Sequence, residues 1–292
     1  MKSILKLMRP QQWVKNFFVF IPAFFAGALF DPDNIKNLLI GFVCFSFVAS
    51  AIYIINDYND IEADRNHPEK KTRPLAAGTV RVPVAFLMVF ILLVLGLGIA
   101  YFLDLQFFQI IFTYLVINIA YSQGLKNISI LDILIVATGF LLRVIAGGFI
   151  IEVPVSKWLL IMVFLLALFM ALAKRLDDLV VSERDGKQSR KSAENYNLNF
   201  IYSGITMIAG IIMVSYIMYT ISDEAIQHIG NEHLYFTSVF VIAGVLRYLQ
   251  ITLVEQRSGS PTKIFLTDKF IIITLFAWVL SFFLMIYFNT GF

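Results

Sequence analysis

The chain has 292 residues, of which 59% are hydrophobic and only 15% charged, and its mean hydropathy is +0.79. Soluble domains carry about 45–50% apolar and about 25% charged residues, so the composition excludes a soluble globular protein and implies an integral membrane one. One cysteine, Cys44, lies inside an apolar run; a disulfide framework and a cysteine-based metal site are excluded with it.

Apolar runs near 14–30, 37–55, 84–103, 107–121, 131–151, 157–174, 199–220, 234–254 and 269–289 predict about nine spans. Each is close to the length needed to cross a bilayer. They are read as helices, because lipid admits only helices or closed barrels and barrel strands would alternate. The first run is preceded by Lys2, Lys6, Arg9 and Lys15 and lacks a small-residue cleavage site, so it reads as a retained span. Within Arg9-Pro10-Gln11-Gln12-Trp13-Val14-Lys15-Asn16, an interfacial helix anchored by Trp13 and a pair of residues, Lys15 and Asn16, reaching a site's mouth are equally good readings.

The second run ends in Asn56-Asp57-Tyr58-Asn59-Asp60-Ile61-Glu62-Ala63-Asp64. On one continuous helix Asp57, Asp60 and Asp64 would share a face, with Asn56 beside them. Three like charges at a membrane edge repel one another and resist leaving water. A divalent cation among them removes both penalties, and hard oxygen ligands favour Mg²⁺ shared with a phosphate-bearing substrate. The following loop supplies Lys70, Lys71 and Arg73 for phosphate oxygens, the arginine as a bidentate fork. Pro68, Pro74 and Gly78 shape that loop, and His67 reads as a loop-shaping residue.

The fourth run ends in Tyr121-Ser122-Gln123-Gly124-Leu125-Lys126. The fifth carries Asp132 near its inner end and Arg143 deeper. Arg143 is either a structural residue held by a carbonyl or an acid, or a ligand-binding one. Gly139, Gly147 and Gly148 allow close helix packing there. The sixth run ends in Lys174-Arg175-Leu176-Asp177-Asp178. Asp177 or Asp178 can complete a metal site, and Lys174, Arg175 and Arg190 can hold phosphate. Arg247, in the eighth run, reads as structural.

Placing the N-terminus inside puts 19 of the 23 Lys and Arg on the cytoplasmic side, with Lys36 and Lys157 outside and Arg143 and Arg247 within spans. This is a strong positive-inside signal, and it places both long polar loops, 56–83 and 175–198, in the cytoplasm. Topology accounts for the basic residues, so no nucleic-acid surface is expected. No nucleotide-binding glycine motif, Ser/His/Asp arrangement or HExxH occurs.

Asn56-Asp57-x-x-Asp60-x-x-x-Asp64, followed by Arg65, His67-Pro68 and Arg73-Pro74-Leu75, closely resembles the first aspartate-rich motif of the UbiA-type intramembrane prenyltransferase superfamily. The resemblance covers nearly the whole chain. It implies an all-α integral membrane fold in one domain, 1–292, with about nine helices around a central cavity open to the cytoplasmic side of the cell membrane. The DxxxD motif that aromatic prenyltransferases carry after span 6 is replaced here by Lys174-Arg175-Leu176-Asp177-Asp178. That pattern is similar to the decaprenyl-phosphate phosphoribosyltransferase branch. So are the Arg9–Asn16 segment, Tyr121-Ser122-x-x-Leu125-Lys126, Asp132 with Arg143 and Gly147, Arg190 with Tyr196, and Gly259-Ser260-Pro261-Thr262 before Asp268.

The branch implies transfer of 5-phosphoribose from phosphoribosyl pyrophosphate to a polyprenyl phosphate. Its alternative is prenyl transfer from a prenyl diphosphate to an aromatic acceptor. The expected roles are Mg²⁺ ligation by Asp57, Asp60 and Asp64, catalysis by Asp57, Asp60, Lys126 and Lys174, and substrate binding by Lys15, Asn56, Arg73, Tyr121, Arg143, Arg175, Asp178 and Arg190. Oligomeric state is left open, a homo-oligomer included.

Overall fold

The computed structural model describes residues 2–66, 70–185, 196–255 and 261–288; His67, Pro68, Arg190, Gly259 and Ser260 lie outside them. Among the described residues the chain is helical and no strand occurs. In chain order the α-helices are α1 (Lys2–Met8), α2 (Ile21–Phe25), α3 (Pro32–Asn59), α4 (Ile61–Arg65), α5 (Val82–Leu103), α6 (Leu105–Gln123) and α7 (Leu131–Ile150). They continue with α8 (Lys157–Asp185), α9 (Leu198–Thr220), α10 (Asp223–Ile229), α11 (Ser238–Leu253), α12 (Pro261–Thr267) and α13 (Lys269–Phe288).

Eight helical segments among the described residues are long and apolar enough to cross a membrane: α3, α5, α6, α7, Lys157–Val180 of α8, α9, Glu232–Leu253 and α13. The protein is a multi-pass membrane protein. Local sequence sets where these helices start. Asp31 accepts from the Asp33 and Asn34 amides ahead of Pro32 at the first turn of α3, Asp104 caps α6 through the Phe107 amide, and Asn197 caps α9 through the Phe200 amide. Each cap satisfies amides that a helix end leaves without partners.

The first expected span takes a different form. Pro10–Phe20 is an 11-residue 3-10 helix, continued by the five-residue α2. At rises of about 2.0 and 1.5 Å per residue the composite extends about 30 Å, comparable to a bilayer core, although it is not one of the eight long helices. Pro22 sits in the first turn of α2, where its missing amide costs nothing, and Pro10 opens the 3-10 stretch behind Arg9, whose φ is 54°. The slim segment runs directly on the backbone of α7. A Cβ built on Gly147 would lie 2.0 Å from the Val19 carbonyl oxygen, so only glycine fits there.

The chain divides into two compact units: Met1–Lys126 with Thr138–Val155, and Asn127–Ala137 with Ser156–Phe292. In the first, α3 packs on α5, α6 and the 3-10 segment. Its core is built from Val19, Phe45, Val48, Phe107, Ile111 and Ala146. A neighbouring cluster ties Leu7, Leu75 and Val80 to Ala51, Ile54 and Val89, so the loop after α4 is pinned by its own apolar side chains. In the second unit α8 packs on α9, and α11 on both α9 and α13, around Phe169, Leu176, Ile201, Ile205 and Tyr248.

Candidate active site

The aspartate-rich segment is not one continuous helix. The chain leaves helical geometry at Asp60 (φ −100°, ψ 7°) between α3 and α4, so the three carboxylates do not form the single stripe that their spacing predicts. Asp57 and Asp64 are buried and Asp60 is partly exposed. Basic side chains relieve their mutual repulsion. Arg9 Nη2 donates to Asp57 Oδ1. Arg73 Nη1 donates to the same oxygen at 3.1 Å and to Asp64 Oδ2 at 2.7 Å, bridging two carboxylates with one nitrogen. Lys126 Nζ donates to Asp60 Oδ1 at 2.6 Å and to Asn56 Oδ1 at 3.4 Å.

The local fold delivers each cation. Arg73 follows a 3-10 turn, Lys70–Thr72, that is braced by Lys6 Nζ on the Thr72 carbonyl and Arg65 Nε on the Ala76 carbonyl. Lys126 follows the Gly124 cap of α6. Arg9 stands at the junction of α1 with the 3-10 helix, where the Met8 carbonyl accepts from Ser50 Oγ. No spacing in the sequence ties Arg9 to Asp57, 48 residues away. An arginine fixed before a proline within a basic N-terminus was the available signal.

Among the described residues no three carboxylate, histidine or cysteine side chains gather into a metal-holding group. Asp57 Oδ2, however, is buried with no hydrogen-bond partner, and a buried carboxylate oxygen without a partner carries a full desolvation penalty. The residues therefore fit a hard cation held by one or two carboxylates that takes its remaining ligands from substrate phosphates, the way Mg²⁺ is commonly bound. They do not fit an all-protein cage.

Deeper in the same unit, Arg143 is buried. Its Nε donates to Asn16 Oδ1 at 2.8 Å, Nη1 to the Gly139 carbonyl at 2.7 Å and Nη2 to the Tyr114 hydroxyl at 2.9 Å. Its guanidinium lies over the rings of Tyr114, Phe45 and Phe140, 4.6–5.7 Å from their centroids. A carbonyl, an amide and a phenol hold it, with no acid among the described residues. Asn16 also donates to Ser46 Oγ, and Trp13 Nε1 to Ser50 Oγ. Trp13 is therefore docked on α3, and Asn16 is committed to the interior. Tyr121 is half-buried at the end of α6 and makes no side-chain hydrogen bond among the described residues; its neighbour Ser122 accepts from Asn59 through its carbonyl.

The second unit holds its own ionic cluster. Arg175 Nε donates to Asp132 Oδ2 at 2.6 Å and Nη1 to Asp178 Oδ2 at 2.8 Å. Tyr196 donates its hydroxyl to Asp132 Oδ1 at 3.0 Å and accepts from the Ile130 amide, at a residue with φ 69°. Burial, reinforced by the Asp132 charge, pushes the Tyr196 phenol up to about 12, so it stays a donor. Lys174, nearly half exposed, pairs with Asp177 at 2.8 Å and Asp178 at 3.0 Å. Arg175 and Asp132 are a buried pair, which their sequence separation of 43 residues did not reveal. Arg247 is structural as expected, joining Glu255 at 2.7 Å and Asp268 at 2.8 Å.

A helical membrane protein with an Asn-Asp-x-x-Asp segment locked to bases at the end of its second long apolar run is the class of molecule these observations define. The chain belongs to the UbiA prenyltransferase family, whose model matches residues 17–280, and it is a transferase. It is 34% identical to the decaprenyl-phosphate phosphoribosyltransferase of Mycolicibacterium smegmatis, over 98% of this chain and 93% of that protein. It is also 34% identical to the protein of that name from Corynebacterium glutamicum, over 98% and 87%. Among solved structures its fold is similar to that of a UbiA homolog from Archaeoglobus fulgidus bound to GPP and Mg²⁺, with a TM-score of 0.71, 19% identity and 97% of each chain covered.

Proposed function

We propose that the protein transfers 5-phosphoribose from phosphoribosyl pyrophosphate to a polyprenyl phosphate of the decaprenyl type, releasing pyrophosphate, within a single domain of the cell membrane. The donor arrives from the cytoplasm, where the N-terminus and both polar loops lie, and the C-terminus is outside. The observation that carries this reading is Asp57. One of its oxygens is held by Arg9 and Arg73, while the other is buried and unpartnered. Near full-length similarity to the two phosphoribosyltransferases and a Lys-Arg-x-x-Asp segment in place of DxxxD support the phosphoribosyl donor over a prenyl one.

In this reading Asp57 Oδ2, with Asp60 and Asp64 as further carboxylates, would hold Mg²⁺. When bound, the ion would neutralise the diphosphate and stabilise it as a leaving group. Arg73 and Lys126 already stand on the carboxylates and carry the positive charge that diphosphate oxygens require. Asn56 shares Lys126 and orients it. In the reaction the bond from ribose C1 to the pyrophosphate oxygen breaks, and a bond from C1 to an oxygen of the lipid phosphate forms. The lipid phosphate is already an anion at neutral pH, so no strong general base is needed. Lys174, oriented by Asp177 and Asp178, supplies a cation for a phosphate. Arg175 fixes Asp178 from its buried pairing with Asp132. Lys15, Tyr121, Arg143 and Arg190 complete the proposed substrate contacts.

Purified protein with Mg²⁺, phosphoribosyl pyrophosphate and polyprenyl phosphate is expected to form lipid-linked phosphoribose, with EDTA abolishing product. Product from a prenyl diphosphate and an aromatic acceptor, with none from the first pair, would refute the reading.

A further inference from the structure

We infer that the outward face of α6 is a docking seam for a second copy of this chain, α6 against α6, with both copies in the same orientation. Gln106, Gln109, Thr113, Val116, Ala120 and Gln123 follow one another at intervals of three and four residues. On a helix such positions form one continuous stripe. The stripe lies opposite the face that α6 buries, which carries Phe107, Ile111, Tyr114 and Leu115. Ala120 is half-buried and the other five residues are exposed. The inference concerns assembly and is independent of which donor the protein uses.

The stripe is poorly suited to lipid. With 19 residues, α6 is about 28 Å long, no longer than a hydrocarbon core of about 30 Å. Gln109, one turn in from the end, and Thr113, two turns in, therefore lie at hydrocarbon depth. Among the described residues the carboxamides of Gln106, Gln109 and Gln123 make no hydrogen bond, while Thr113 turns its hydroxyl back to the Gln109 carbonyl at 2.8 Å. The neighbouring α5, which packs on α6, differs. Its exposed residues include Leu87, Phe90 and Val94, and its only polar side chain is Tyr101. Of the eight membrane-length segments α6 is the least apolar, yet it is one of the three least buried. Lipid tails offer an amide no partner. Membrane helices meet that demand by hydrogen bonding to another helix, along small residues that permit close approach.

The chemistry of the stripe also selects its occupant. A carboxamide donates through its nitrogen and accepts through its oxygen, so identical glutamines pair with one another. The stripe has no charge to repel its own image. Copies that share one orientation in the membrane are related by an axis normal to it. Each residue of the stripe then meets the same residue of its neighbour, the parallel arrangement that a three-four repeat builds. The seam is complementary to itself, which singles out a second copy of the chain.

The test uses the purified full chain in liposomes, with energy transfer between copies labelled at their N-termini followed as lipid is added. Wild type is expected to self-associate. Gln109→Leu, which places an apolar side chain on an exposed position, is expected to weaken the association by about tenfold, the scale of an interhelical hydrogen bond. Cysteine crosslinking gives a second reading that does not depend on that variant. Cys44 is the only cysteine and is fully buried, so wild type serves as the silent control. Gln109→Cys and Val116→Cys are expected to form disulfide-linked dimers on mild oxidation, and Phe90→Cys on the exposed face of α5 to stay unlinked. The inference is overturned if wild type is monomeric throughout the dilution, if Gln109→Leu associates as tightly as wild type, or if Phe90→Cys links as readily as the seam positions.

Discussion

Around Asp132 every oxygen of the central carboxylate has a partner: Arg175 on one side and the Tyr196 hydroxyl on the other. Around Asp57 two arginines crowd a single oxygen while the second is buried and bare. The residue types are the same, aspartate with arginine, and both carboxylates are shielded from water. The difference lies in satisfaction. A closed network specifies one arrangement and resists change, whereas an incomplete one stores a demand for a further ligand. The Asp132 cluster accordingly reads as the frame that aims Asp178 and Lys174, and the Asp57 cluster as the place where a cation and phosphates exchange with side chains. Arg9 and Arg73 remain 18% and 24% exposed, against 6% for Arg175, so they can be re-solvated while Arg175 cannot.

Paired substitutions test that contrast. The largest effect is expected for Arg175→Met, which strands the fully buried Asp132 carboxylate. Removing one partner of a buried pair costs about 3–5 kcal/mol, read as a lowered unfolding temperature in detergent; a change within error would mean that Asp132 is not held as described. Asp57→Asn is expected to keep more stability than Arg175→Met, because its partners stay partly solvated. It should nevertheless lose activity by about 10²–10³-fold, the scale of removing a principal electrostatic contact. Full activity would remove Asp57 from the chemistry. Gly147→Ala is next: the new Cβ meets the Val19 carbonyl oxygen at 2.0 Å, and overpacking of this kind costs about 1–3 kcal/mol. The lost stability should come with weaker substrate binding, since Lys15 and Asn16 ride on the displaced segment.

The smallest effect is one of pH. Hydrogen bonding from Arg247, opposed by some burial, holds the Asp268 carboxyl below its usual range. A depressed carboxyl contributes stability above its unfolded value, and that contribution is lost as pH falls through the lower folded value. Wild type should therefore lose part of its stability on acidification below about pH 4, and Asp268→Asn should lack that part of the loss. An identical acid profile in the two proteins would contradict the pairing.

The sequence made the broad architecture legible because bilayer thickness leaves few alternatives for long apolar runs. Among the described residues, eight of the runs are helices long and apolar enough to span, at nearly the expected positions. The first run is a 3-10 helix continued by a short α-helix, a form hydropathy cannot report, because it reads apolar length and does not distinguish a 3-10 helix from an α-helix. The aspartate-rich segment was visible as chemistry, but its break at Asp60 was not, since helical spacing assumes continuity. The partners of the aspartates were only partly legible. Arg73 and Lys126 lie in motifs at helix ends, but Arg9 reaches Asp57 from 48 residues away. Arg143 was recognised as costly within a span; its holding by Asn16 and Tyr114 depends on tertiary approach that no local pattern encodes.

The most direct test of the central claim reads the metal at Asp57. Mn²⁺, as a paramagnetic substitute for Mg²⁺, is titrated into purified protein with and without pyrophosphate and followed by electron paramagnetic resonance. Wild type should bind the ion tightly only when pyrophosphate is present, because the protein supplies too few ligands alone, and Asp57→Asn should lose that binding. Equal pyrophosphate-dependent Mn²⁺ binding in the wild type and in Asp57→Asn would contradict the account.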